Sequence, residues 1–366
     1  MSEQELKWKK WFIPVVLSIA AVILVIVAAV CVIDPFFHFH KPMDGLSYIL
    51  EDERYQNDGI TRHFDYDCVI TGTSECENFK ASLTDRLFGV KSVKVPFAGG
   101  FFKEISEAEA RALRYNPDTK MVIRSIDQGF AIFDKDYWNE NAPKPQYLYD
   151  NNVLNDTEYF FNKKVLVLYL PQEIVRSVSG QAPDSFDEYA RFAEDRPLGR
   201  DIVVSHLPHY PIAADQPPIS DERRKILTDN VEQNVLTNLK ENPDVTFYYF
   251  YPPYSTANFY INYLVKGQYT EYIDTMRIMT DMILDYDNVK LFCFFDEYDM
   301  VTDLDNYSDE SHYSGEISDD ILKWMAEGSH QLTKENYNAY FDEIQDFYGN
   351  YDYESFFREP AEPLSE

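Results

Sequence analysis

Two short stretches of this chain hold side chains that together could carry out acyl chemistry. The first is Gly72-Thr73-Ser74-Glu75-Cys76, directly after the apolar run Cys68 to Thr71. A Ser at the C-terminal edge of a strand and the start of a helix has its hydroxyl at a ligand crevice, with its own N–H directed where an oxyanion would form. Gly72 leaves room for the tight turn. Taken alone, the pattern also fits an ordinary helix cap. The second stretch is Ser308-Asp309-Glu310-Ser311-His312, just before a helical pattern. Asp309 and His312, three apart on the loop entering that helix, let a carboxylate orient an imidazole whose other nitrogen faces the crevice. Hydroxyl, imidazole and carboxylate in series are the parts of general-base-assisted attack on an acyl carbon. Cys76 is the rival nucleophile, but Glu75 and Glu77 on either side raise its thiol pKa and argue for a partly buried small residue.

These stretches converge only if the intervening chain places them at one edge. From Asp67 onward, short apolar runs alternate with amphipathic stretches. Strands are expected at Cys68 to Thr71, Val93 to Phe97, Met121 to Ile126, Val245 to Tyr251 and Val289 to Phe295. Apolar residues recurring at three and four predict helices over Phe79 to Phe88, Glu104 to Tyr115, Asp221 to Glu241, Phe259 to Asp285 and Glu316 to Met325. About five strands with intervening helices fit an α/β class with an open, doubly wound parallel sheet, in which the loops after the first and fifth strands share an edge. Ser74, His312 and Asp309 then meet. The gap between the third and fourth strands exceeds one crossover, so an insertion over about 128–218 is expected, with a helix at Thr157 to Ser177 and a Pro-rich loop at Leu207 to Pro218. The catalytic domain is expected at 65–330, followed by an amphipathic helix and acidic tail over 331–366.

The charge balance narrows the partners. Sixty-three acidic against 33 basic residues give a net charge of -30, which repels nucleic acid. Hydrophobic residues make up 45% of the chain, with 28 Tyr and 26 Phe, enough to fold. The four Cys include no CxxC pair, which excludes a disulfide scaffold and argues against a structural zinc site. Residues 1–33 carry a net +1, so the remainder holds -31. Between Trp11 and Ile33 lie 23 uncharged residues, about 34 Å as a helix, enough to cross a hydrocarbon core of about 30 Å. Neither a signal-peptidase site nor a lipoprotein box is well formed near Cys31. Lys7, Lys9 and Lys10 place residues 1–10 in the cytoplasm and the rest outside, beyond a juxtamembrane linker over 34–64. No metal site is expected. His38 and His40 read as interfacial linker, His206 and His209 as loop. The acidic cluster Asp303, Asp305, Asp309 and Glu310 lacks EF-hand spacing.

With those residues in place, the chain resembles the SGNH, or GDSL-like, hydrolases and acyltransferases, particularly a membrane-anchored extracytoplasmic branch that helps D-alanylate teichoic acids and O-acetylate alginate. Gly72-Thr73-Ser74 matches the nucleophile block and Asp309-Glu310-Ser311-His312 the Asp-x-x-His block. Val95-Pro96-Phe97-Ala98-Gly99-Gly100 stands where the family places its oxyanion glycine. The resemblance implies a three-layer flavodoxin-like fold, Ser74 as nucleophile, His312 as base, Asp309 as its orienter, and Gly100 or Gly99 as oxyanion donor. It implies no cofactor. Two positions depart from the pattern. Thr73 stands where commoner members have Asp. The third block reads Ser125-Ile126-Asp127-Gln128-Gly129 in place of an Asn donor, so either Gln128 or Asn78 donates instead or the hole is incomplete.

The implied activity is that of a serine esterase or O-acyltransferase on acylated cell-envelope polysaccharide, with a membrane-bound O-acyltransferase as a possible partner. A non-catalytic protein binding a polysaccharide or such an acyltransferase is the alternative, and Asp127 favours it. Aromatics around Pro252-Pro253-Tyr254 and Asn258-Phe259-Tyr260 could stack on sugar rings, although packing explains most of them. The α/β-hydrolase elbow does not fit, because Cys76 stands where its second Gly is required. The acidic outer domain biases the acceptor toward neutral or cationic polymers.

Overall fold

The computed structural model describes residues 3–192 and 196–358, so the end of the acidic tail, 359–366, and the first two residues of the N-terminal segment lie outside the described residues. Helix α1 spans Glu3–Ile33. Within it, Trp8–Ile33 is long and apolar enough to cross a membrane, and its most apolar window is only 6% buried. The chain divides into two compact units, 1–64 with 144–185 and 65–143 with 186–366, and α1 belongs to the first.

The first unit differs from the expected plain linker. Residues 34–64 carry helix α2, Glu53–His63, and Phe36 and Ile49 join Tyr147, Leu148, Tyr159, Val165 and Tyr169 in one apolar core. Asp34 stops α1 in a left-handed conformation, φ 47°. Its carboxylate then accepts the N–H groups of His38, Phe39 and His40 and the hydroxyl of Tyr159. The expected insertion is therefore divided: 144–185 packs with the N-terminal part, while 128–143 and 186–218 stay with the sheet unit. Thr157 to Ser177 is not one helix. Asn162 Oδ1 accepts the N–H groups of Lys164 and Val165, restarting the chain after Thr157–Phe160 as a π-turn at Val165–Tyr169 that runs into the helix Leu170–Val178.

The second unit is α/β. Its strands are β1 Cys68–Gly72, β2 Ser92–Pro96, β3 Met121–Ser125, β4 Thr246–Tyr251, β5 Val289–Cys293 and β6 Gln331–Leu332, in the order β2-β1-β3-β4-β5-β6. The first five run parallel and β6 antiparallel. β1, β2 and β3 are buried along their whole length, so they read as largely apolar runs, with Lys94 in β2 and Arg124 in β3 as buried exceptions. Six strands replace the expected five or so, because a two-residue antiparallel strand carries no periodicity to read. Helix α3 covers Ala81–Phe88 and α4 covers Phe102–Tyr115. The helical pattern from Phe259 breaks into a π segment, Phe259–Leu264, and a helix, Tyr269–Ile283. Gly267 turns between them at φ +69°, where a Cβ would meet Asp215 O at 2.8 Å.

Register sets the edge that matters. Gly72 pairs with Pro96, Thr71 with Arg124, Ser125 with Phe250, and Tyr251 with Cys293, so the C-terminal ends of five strands lie side by side. Behind that edge, Arg124 of β3 is wholly buried. Its Nη1 donates to Glu109 Oε2 of α4 at 3.1 Å and to Asn234 O at 3.0 Å, and Tyr249 of β4 donates to Glu109 Oε1 at 2.8 Å. This polar knot ties α4 to β3 and β4.

Candidate active site

Four of the strand ends supply the site. Ser74 follows β1, Gly99 follows β2, Asp127 follows β3, and the loop with Asp309 and His312 comes after β5 by way of the helix Tyr298–Thr302 and a 3-10 turn at Leu304–Asn306. Ser74 Oγ lies 2.8 Å from His312 Nε2. His312 Nδ1 lies 2.7 Å from Asp309 Oδ2. Asp309 Oδ1 accepts the N–H groups of Ser311 and His312, both at 2.8 Å. Burial alone would raise the Asp309 carboxyl, but the hydrogen bond and charge of the His312 ring and these two N–H groups outweigh it and hold the pKa at about 2. Asp309 is thus a permanent carboxylate that accepts a proton-bearing Nδ1, leaving Nε2 to face Ser74.

Several side chains fix the His312 loop, none of them evident in the sequence. Tyr313 donates to Glu75 O at 2.8 Å, Ser255 to Glu310 O at 2.7 Å, and Asn258 Nδ2 to Ser311 Oγ at 2.8 Å. Phe192 meets the imidazole edge-on at 5.3 Å. Arg196 lies over Phe192 at 4.6 Å and reaches 3.7 Å from Asp309 Oδ2.

The nucleophile loop differs from expectation in one respect. Ser74 opens a single 3-10 turn, Ser74–Cys76, and α3 begins only at Ala81. No long helix dipole therefore points at the hydroxyl. The turn is held instead by Asp127, whose Oδ1 accepts Thr73 Oγ1 and Tyr254 OH, each at 2.8 Å, and whose Oδ2 accepts Ser125 Oγ at 3.0 Å. Ser125 Oγ in turn accepts the Thr73 N–H at 3.2 Å. Burial raises the Asp127 pKa, against the pull of its three hydroxyl donors. Thr73 and Asp127 are thus partners in one lock. Gly72 is needed there: at φ +145°, a Cβ would meet Ser125 Oγ at 2.2 Å.

The oxyanion candidates separate clearly. The Gly100 N–H is already donated to Phe97 O at 2.7 Å, so a tight turn consumes the donor expected of it. Gly99, in the left-handed region at φ +60°, is exposed and lines the cavity with Ser74 and His312. Among the described hydrogen bonds, neither its N–H nor that of Ser74 has a protein partner. Asn78 Oδ1 accepts the Phe192 N–H at 3.1 Å and stands off the cavity wall. Gln128 Oε1 accepts Tyr272 OH at 3.1 Å, and its buried Nε2 has no partner. Gln128 faces a neighbouring cavity, not that of Ser74.

The Ser74 cavity measures about 370 Å³ and the neighbour about 540 Å³, and both are walled by Asp127, Phe130, Tyr254 and Ser311. Glu75, buried at the edge of the first, has Oε1 4.0 Å from His312 Nε2. Burial first, then the negative charges of Asp127, Asp309 and Glu77, push its carboxyl well above the ordinary range. The shift favours the protonated carboxyl beside the imidazole. Cys76 is buried with Sγ against Thr71 O, and burial, with smaller contributions from Asp127 and Glu75, pushes the thiol up to about 12.

Five of the remaining ligand candidates have local partners. His38 Nε2 lies 3.1 Å from Asp156, His40 bonds Lys41 O and Cys31 O, and His209 lies 3.1 Å from Glu354. Asp303 Oδ1 accepts the Asp305 N–H, and Asp305 Oδ1 that of Arg200. Among the described residues, no three potential metal ligands come together. Compared with protein-family models, curated proteins and solved structures, the chain matches none.

Proposed function

We propose that this chain is an anchored serine esterase or O-acyltransferase of the SGNH type, acting on acyl groups of cell-envelope polysaccharide through an acyl-serine. The observation that carries the reading is the unbroken series from Ser74 Oγ through His312 to Asp309, open to a cavity. The strand order β2-β1-β3-β4-β5 supports a flavodoxin-like, doubly wound arrangement, in which ligands sit where the order reverses, beside β1.

In this reading His312 Nε2 takes the Ser74 proton as Oγ bonds to the ester carbonyl carbon. The carbonyl oxygen becomes an oxyanion held by the N–H groups of Ser74 and Gly99. As the tetrahedral intermediate collapses, the imidazolium returns the proton to the leaving alkoxide, which departs as an alcohol and leaves the acyl-serine. A second hydroxyl, from water or a sugar, repeats the sequence in reverse. Asp309 stabilises the imidazolium without becoming protonated. The adjoining cavity of about 540 Å³ lies within the range of small-molecule sites and offers room for the alcohol part of the ester or the acceptor. Lys7, Lys9 and Lys10 before the apolar helix support an orientation with this chemistry outside the cytoplasm, where a membrane-bound O-acyltransferase could present the acyl group. The third-block Asp127, which supplies no oxyanion donor, favours a non-catalytic binding role as the second reading.

The test uses the full-length protein in detergent with p-nitrophenyl acetate, alone and with a panel of neutral saccharides. Turnover with a transient acetyl adduct on Ser74 supports the proposal, and O-acetylated saccharide identifies transfer. Absence of both turnover and adduct favours the binding role.

A further inference from the structure

The first unit presents an apolar surface that its own core leaves uncovered. Within 144–185, eight large apolar side chains are exposed: Val153 (76%), Leu154 (82%), Phe161, Val167 (69%), Leu168, Ile174, Val175 and Val178 (85%). The whole sheet unit exposes seven among its described residues. The segment from Val165 to Val178 is apolar on two sides. Val165 and Tyr169 face the core, while Val167, Leu168, Val175 and Val178 face outward. Gln172 and Arg176 lie among them, so the segment is amphipathic with added apolar residues on its outer side, as in helices that lie in the membrane interface, and large exposed apolar surface marks an interaction site.

The same unit shows what covers it. Ile26 and Val30 of α1 pack into the cluster that contains Val165, Leu166, Tyr169 and Leu170. The segment that carries the outward-facing residues therefore sits beside the last turns of α1, the one helix among the described residues long enough to span a membrane. Ile26 lies seven residues before the end of α1 at Ile33, about 10 Å along the axis at about 1.5 Å per residue. Interfacial helices bury their apolar face to about 5–10 Å below the headgroups, so the depth matches. Glu173 does not oppose this placement, because its side chain is buried and its Oε1 accepts the Ile49 N–H at 3.1 Å. Lys163 and Lys164, exposed at the start of the segment, suit the headgroup level.

We propose that residues 153–178 form a second membrane contact, an apolar face that lies in the lipid leaflet at the C-terminal end of α1. It anchors the first unit at two places. The contact is hydrophobic in origin, so it needs no anionic lipid, which would repel a chain of net charge -30.

The test places nitroxide labels on the full-length protein in phosphatidylcholine vesicles, one at a time at Val167→Cys, Val175→Cys and Val178→Cys, in a Cys31→Ser background. Cys68, Cys76 and Cys293 are buried and do not compete. Collision with oxygen is expected to exceed collision with aqueous nickel chelate by several-fold at all three positions, as at a label on Leu24 of α1. A label on exposed Leu87 in the sheet unit should show the reverse. Aqueous access at 167, 175 and 178 equal to that at 87 overturns the proposal. So does exclusion of both reagents, which would identify a protein contact between copies as the occupant. Unchanged thermal unfolding of each labelled variant confirms that the readout comes from the native fold.

Discussion

Ser74 Oγ and His312 Nε2 stand 2.8 Å apart across 238 residues of chain, at the ends of strands that are not sheet neighbours. The packing of β3 and β4 between β1 and β5 sets that distance, and the pinned loop after β5 completes it.

The carboxylate behind the imidazole is tested by Asp309→Asn. The amide oxygen still accepts the Ser311 and His312 N–H groups, so the loop keeps its shape. The amide NH₂ then faces His312 Nδ1 and selects the tautomer that donates toward Ser74 instead of accepting from it. Activity should fall on the order of 10³–10⁴-fold with little change in thermal unfolding. Measured kcat/KM on p-nitrophenyl acetate within tenfold of the parent contradicts the assigned role.

Glu75 gives a pH dependence whose sign follows from its raised pKa. Between the ordinary carboxyl value of 4.5 and its raised value, the folded protein binds a proton that the unfolded chain has released. This contribution to stability is therefore present at low pH and lost as pH rises through that window. Glu75→Gln is neutral throughout, so its unfolding temperature should decline less than the parent's over the same pH range. It should retain activity within about threefold, since Glu75 bonds neither Ser74 nor the Nδ1 side of His312 and the amide keeps its shape. A steep loss of activity with unchanged stability would show that Glu75 works as an ion.

Gly72→Ala tests the lock under the nucleophile. The added methyl must displace Ser125 Oγ, which joins Thr73 N–H to Asp127, and the left-handed φ adds strain. A stability loss of about 1–3 kcal/mol and at least a roughly tenfold loss of Ser74 reactivity are expected, since small misplacements of reacting groups are costly. Parental reactivity would mean that the turn tolerates the shift.

Glu109→Gln tests the knot behind the site. Neutralising one side leaves Arg124 as a buried, unpaired charge, at a cost of about 3–5 kcal/mol. The double variant Glu109→Leu, Arg124→Met removes both charges and should be less destabilised than the single one. Thermal unfolding in detergent distinguishes them, and a more damaged double variant contradicts the account.

The legible parts of this molecule were those with a repeating signal. Buried parallel strands appear as apolar runs, so β1 to β5 were readable to within a residue or two, and α4 showed the three-four spacing of a helix packed on one face. Alternation of strand and helix also put the loops after the first and fifth strands at one edge, which is why Ser74, Asp309 and His312 could be paired across the chain. Other features depended on a single contact. Nothing in the sequence shows that the Gly100 N–H is spent on Phe97 O, leaving Gly99 as the exposed glycine. The partnership of Thr73 with Asp127 exists only once β1 and β3 are adjacent. Arg196 and Phe192 reach His312 from a segment without periodicity, and Asn162 breaks a helix through two local hydrogen bonds. The left-handed turn at Asp34, which draws 34–64 into a packed unit with 144–185, is a conformation that an Asp residue permits but does not announce.

The central claim is that Ser74 is a nucleophile activated by His312. Its most direct test is treatment of the full-length protein in detergent with a fluorophosphonate, followed by peptide mass mapping. One adduct on Ser74 is expected, formed at least about a hundredfold more slowly in His312→Ala, in line with the contribution of a positioned general base, and absent from a folded Ser74→Ala. Equal labelling of Ser74→Ala, or no adduct on Ser74 in the folded parent, would contradict the claim.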